Sequence, residues 1–242
     1  RTTIVIRFKL SKVVGEMPEE HLKFVQAHSA KEPTESKVID LLSLLLGIAI
    51  YPMGRISESR ESGGAIHFQA MVSPVWHVQE KPVGKAEIQH LKDLWRVITT
   101  TKKKPRHFLS IALRRYSQAL TRPSLDDKII DMMICCEALL LGDGNKTELT
   151  YRLCHRAALL LGSTSEERED IFQFFKDAYS ARSSVVHGSK AYAPNTPEWN
   201  ALAQITVRLG ELLQRLLLKM LDLASNPQAP VELVDWKQLM FR

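Results

Sequence analysis

The string Arg182-Ser183-Ser184-Val185-Val186-His187-Gly188 holds the two residues best suited to chemistry. The apolar positions leading into it, Ile171, Phe175 and Ala178, recur at helical steps, and the next step lands on Arg182 before Val185 resumes the pattern. A guanidinium on a core-facing stripe is expensive to bury alone, so it either pairs internally or opens into a cleft where an anion binds. Histidine exchanges a proton near neutral pH and can take the proton of a ribose 2′-hydroxyl or deliver one to a leaving oxygen. Arginine offers a planar fork to the non-bridging phosphate oxygens, where charge accumulates during in-line attack. With the ribose hydroxyl as nucleophile, these residue types suit RNA phosphodiester cleavage without a metal or other cofactor. Five steps on an ideal helix turn through roughly 500°, so the two side chains do not share one face. They converge only where the helix loosens toward its end or where two chains contribute. Cleavage benefits from an acid and a base together, so a symmetric dimer that juxtaposes two copies of His187 is expected.

Three other polar residues fall on or beside apolar faces. Glu137 lies inside MMICCEALLL and wants a cationic partner, either Arg182 or another residue in a structural ion pair. Tyr179, three before Arg182, can line the cleft and stack a base, or serve as an ordinary core aromatic. His155, between Arg152 and Arg156, is expected on the solvated side of its helix. The loop GDGNKT at 142–147 lacks the spacing of a phosphate-cradling loop and joins helix to helix. His67 and His77 lack ordered carboxylate or cysteine partners, and Cys135, Cys136 and Cys154 have no CxxC spacing, so no metal site is expected.

The elements that must position these residues are helical. From Lys85 onward, amphipathic segments are expected at 86–99, 106–120, 125–141, 146–161, 166–186 and 197–223, with a short docking helix within 231–241. Ser124 can cap the third. Asn145 with Glu148 and Ser163 with Glu166 have capping-box spacing, Thr196 precedes Pro197, and Gly142, Gly162 and Gly188 fall at expected stops. Residues 1–85 read as a small α+β unit: a strand in RTTIVIRFKL, helices at 19–28 and 35–46, a Ser/Glu/Gly-rich connector at 57–64, and strand-forming residues at 65–78. The fold class is therefore mainly α, a helical bundle over 86–242 preceded by that unit.

The 242 residues carry 33 Lys+Arg against 27 Asp+Glu, with 45% apolar and 25% charged residues, a globular balance that excludes collagen-like and mucin-like chains. The longest apolar stretch, 38–51, contains Asp40 and Ser43 and is too short to span a bilayer, so no membrane partner is expected. Three cysteines without a disulfide framework point to a reducing, cytoplasmic setting. Residues 1–108 hold 17 Lys+Arg and 11 Asp+Glu, while 109–242 hold 16 of each, so the net +6 lies wholly in the first part. Its densest cluster, Lys102, Lys103, Lys104, Arg106 and His107, offers candidate RNA-binding cations and reads equally as a solvated linker. The start at Arg1, without methionine, points to a piece of a longer protein with possible further domains.

Four segments, ALRRYSQAL (112–120), LDDKIIDMMICCEALLLG (125–142), ELTYRLCHRAALLLG (148–162) and FFKDAYSARSSVVHG (174–188), resemble in order and spacing the Apea-like branch of the HEPN superfamily. That family's signature is Arg-x4-6-His, and the resemblance spans about residues 106–223. It implies a helical bundle, usually dimeric, whose active members are metal-independent ribonucleases of prokaryotic antiviral defence, abortive infection or toxin systems. It also implies Arg182 and His187 as the catalytic pair, with Ser183 at the position where the family favours a polar residue. Family toxins silenced by a nucleotidyltransferase partner carry a tyrosine two residues after the histidine; here that position is Ser189, and Tyr192 lies three further on. The alternative is a non-catalytic module that binds RNA or protein and dimerises.

Overall fold

A computed structural model describes residues 37–47, 49, 54–59, 65–70, 85–100, 107–142, 147–189, 192–226 and 233–240. The expected strand at 1–10, the helix at 19–28, and Lys102, Lys103, Lys104 and Arg106 lie outside these residues. The described part is mainly helical. It contains α1 (37–46), the hairpin β1 (Gly54–Ser59) and β2 (Ala65–Ala70), then α2 (Lys85–Thr100), α3 (His107–Thr121) and α4 (Leu125–Leu140). There follow α5 (Leu149–Leu161), α6 (Ser165–Val186), α7 (Pro197–Ser225) and α8 (Trp236–Met240). β1 and β2 pair antiparallel in the register Gly54↔Ala70 to Ser59↔Ala65. Ser57–Ser59, expected in a connector, are thus drawn into a strand, because ladder pairing overrides the weak β-propensity of Ser and Glu. No described helix is long and apolar enough to cross a membrane.

The three-residue turns 122–124 and 162–164 fold α3 back on α4 and α5 back on α6. The 29-residue α7 crosses both pairs and packs on α3, α4, α5 and α6. Its buried stripe runs Leu202, Thr206, Leu209, Leu213, Leu216, Leu217, Met220 and Ala224, the repeat of three and four that keeps one helical face inward. Gly210 permits the close approach to α4: a Cβ there would stand 3.3 Å from Met132 Cε. Leu41 and Leu44 of α1 belong to the same core as Phe175, Met133 and Leu213, so this part of the first 85 residues packs with the later helices.

Helix starts are set locally. Ser124 Oγ accepts from the Asp126 and Asp127 amides, and Thr196 Oγ1 from the Trp199 amide at 3.2 Å, both as expected. The other two expected capping boxes differ. For α6 the cap is Thr164, which accepts from Glu167 N–H at 3.2 Å while Glu167 accepts from Ser163 N–H at 2.7 Å, one residue later than the Ser163–Glu166 register. For α5, Glu148 itself occupies the cap position at φ 50° without a side-chain cap bond, so the helix begins at Leu149; Asn145 of the expected box lies outside the described residues.

Helix ends are instead closed by side chains from neighbouring helices. Arg156 donates to Leu140 O of α4 at 2.6 Å, while Arg215 and Lys219 of α7 donate to Leu161 O and Leu160 O of α5 at 3.2 and 2.5 Å. Gln214 donates to Leu44 O of α1 at 2.6 Å. Cationic donors at carbonyl ends also complement the helix dipole. Arg156 further stacks over the Trp236 ring at 4.6 Å and so anchors α8. Between α3 and α4, the buried Asp131 accepts from Arg115 Nη1 and Arg122 Nε, each at 2.7 Å.

Candidate functional site

The site begins with the local design of α6. Its N-terminus is capped by Thr164 and carries Glu166 and Glu167 in the first turn, where carboxylates oppose the dipole. Ile171, Phe174, Phe175 and Ala178 are buried and fix the rotation of the helix against α4 and α5. That rotation carries Arg182 onto the margin of the same stripe. Arg182 is half-buried, and its Nε is fully buried without a hydrogen-bond partner. Among the described residues no ion pair joins it to a carboxylate.

The end of α6 is a Schellman stop. Gly188 N–H donates to Val185 O at 3.1 Å and Ser189 N–H to Ser184 O at 3.0 Å, around a Gly188 φ of 62°. A Cβ on Gly188 would meet no atom within 4 Å, so glycine is required there by its backbone angle and not by space. His187 is the C-cap residue, at φ −90° and ψ 0°, and its side chain is exposed. Its amide still donates to Ser183 O at 3.0 Å, so the helix does not loosen between the two residues. They consequently stay about 140° apart around the axis and about 7.5 Å apart along it.

The other predicted residues are distributed around this end. Ser183 is half-buried and contributes the carbonyl that receives the His187 amide. Tyr179 is half-buried and packs against the core. Glu137 is half-buried on α4, and no ion pair links it to Arg182; packing of α4 against α6 has not brought the two charges into contact. Tyr192 packs on the core. Cys135, Cys136 and Cys154 are buried free thiols, and burial holds all three in the protonated form, Cys154 being pushed up to about 11. Among the described residues no cluster of His, Cys, Asp and Glu is arranged to hold a metal ion.

Two features have no counterpart in the sequence reading. One is the Arg115–Asp131–Arg122 triad, whose partners are separated by 16 and 9 residues and so leave no local pattern. The other is an aromatic group on the α5–α6 pair. Tyr151 stacks on His155 with ring centroids 5.6 Å apart and planes 11° apart, and meets Phe172 at 5.7 Å in an edge-on arrangement. The i, i+4 spacing of Tyr151 and His155 was the available signal. An open cavity of about 390 Å³ adjoins it, lined by Glu148, Leu149, Thr150 and Tyr151. A second hollow, lined by Glu167, Asp170, Arg208, Glu211 and Arg215 among others, has most of its charges engaged: Asp170 pairs with Arg208, which also covers the Phe174 ring, and Arg215 holds Leu161 O.

Comparisons with protein-family models, with curated proteins and with solved structures find no match to this chain.

Proposed function

We propose that this protein is a metal-independent endoribonuclease of the HEPN type, acting as a homodimer in the cytoplasm in a prokaryotic antiviral defence, abortive infection or toxin context. In this reading residues 86–242 are the HEPN-like bundle and the first 85 residues a small α+β unit. The observation that carries it is Arg182: a half-buried guanidinium with an unpartnered Nε and no carboxylate in contact, five residues before an exposed histidine. Structural arginines of this fold are engaged, by Asp131 in the case of Arg115 and Arg122 and by a helix-end carbonyl in the case of Arg215. Arg182 holds the non-bridging oxygens of the scissile phosphate. One His187 takes the 2′-hydroxyl proton as the oxygen attacks phosphorus; the bond to the 5′-oxygen breaks, and the His187 of the second copy returns a proton to that leaving oxygen. The products are a 2′,3′-cyclic phosphate and a 5′-hydroxyl end. Ser183 and Glu137 act on the helix end and on α4, and Tyr179 lines the approach.

Purified protein incubated with RNA in EDTA is expected to leave cyclic-phosphate ends, with His187→Ala slower by about 10²- to 10⁴-fold. Equal cleavage by the variant, or none by either protein, overturns the catalytic role.

The regular course of α6 to its last turn favours a second reading, because one chain alone keeps Arg182 and His187 on different faces. The fold would then serve as a non-catalytic RNA- or protein-binding and dimerisation module. Steeply salt-dependent RNA binding that is indifferent to His187→Ala, without cleavage, supports it.

A further inference from the structure

We draw no further inference here: the strongest candidate, the polar seam between α1 and α3 where Asp40 faces Ser117 and Arg114 and Ser43 Oγ one turn on is buried without a partner, carries nothing because Leu41 and Leu44 fix α1 in the core and nothing in the structure shows what ligand or movement would reach it.

Discussion

Half-buried arginines at two places in this bundle have opposite outcomes. Between α3 and α4, Arg115 and Arg122 converge on one buried carboxylate, Asp131, at 2.7 Å each. At the last turn of α6, Arg182 is half-buried like Arg115 and meets none. Arg115 also leaves its Nε unpartnered, but its Nη1 is committed to Asp131, so its charge is compensated. The difference teaches that burial alone does not mark a functional arginine. An engaged guanidinium ties two helices together, whereas one without a counter-charge keeps its attraction for an external anion. Asp40 of α1 is the complementary case, a buried acid whose neighbours are the Ser117 hydroxyl and Arg114; loss of water around it raises its pKa.

These contrasts can be broken by substitution. The largest expected effect is at Arg182. Arg182→Met, which continues the apolar stripe, should lower RNA cleavage by about 10²- to 10³-fold while leaving the thermal midpoint unchanged or slightly raised. A fall in stability without loss of cleavage would place Arg182 with the structural arginines. At Asp131 the sign of the two effects should exchange. Asp131→Ala leaves two guanidiniums without their carboxylate and is expected to lose about 3 kcal/mol, on the order of 10 °C in midpoint, with the Arg115 and Arg122 heads still partly hydrated. Urea titration measures it, and a loss below about 1 kcal/mol would mean that the triad does not join the helices. The cap that starts α6 offers a smaller handle. Thr164→Ala removes the acceptor for Glu167 N–H and should lose about 1 kcal/mol, again by urea titration, with RNA cleavage unaffected.

The smallest effect is a pH dependence. With its folded pKa raised above the ordinary 3.8, Asp40 binds a proton more readily in the folded chain, so stability declines as pH rises from about 3.8 through the folded value. Asp40→Asn should therefore be slightly more stable than the parent at pH 7, and that advantage should shrink as pH is lowered through this window. Midpoints measured at pH 7 and pH 4 decide it; an advantage that grows on acidification contradicts the desolvation of Asp40.

The helices were legible because their signals are local. The three-and-four spacing of apolar residues and the stops at Gly142, Gly162 and Gly188 place α2 to α7 within about three residues. The misplacements are local as well. Two adjacent candidates, Ser163–Glu166 and Thr164–Glu167, offer similar capping chemistry, and the backbone of Thr164, at φ −109° and ψ 168°, selects the second. Glu148 in a left-handed conformation starts α5 later than Lys146, against the preference of its side chain.

What the sequence determined by itself is the mainly α class, the phase that carries Arg182 onto the inward stripe, and the glycine stop directly after His187. Each depends on residues within one or two turns of one another. Tertiary structure alone decided that Asp131 gathers Arg115 and Arg122, that Glu137 and Arg182 stay apart, and that Tyr151 rests on His155 with Phe172 at its side. Those outcomes depend on how helices rotate and slide when apolar faces are packed, and hydrophobic packing is non-directional, so the amino-acid pattern does not announce which polar groups it will bring together.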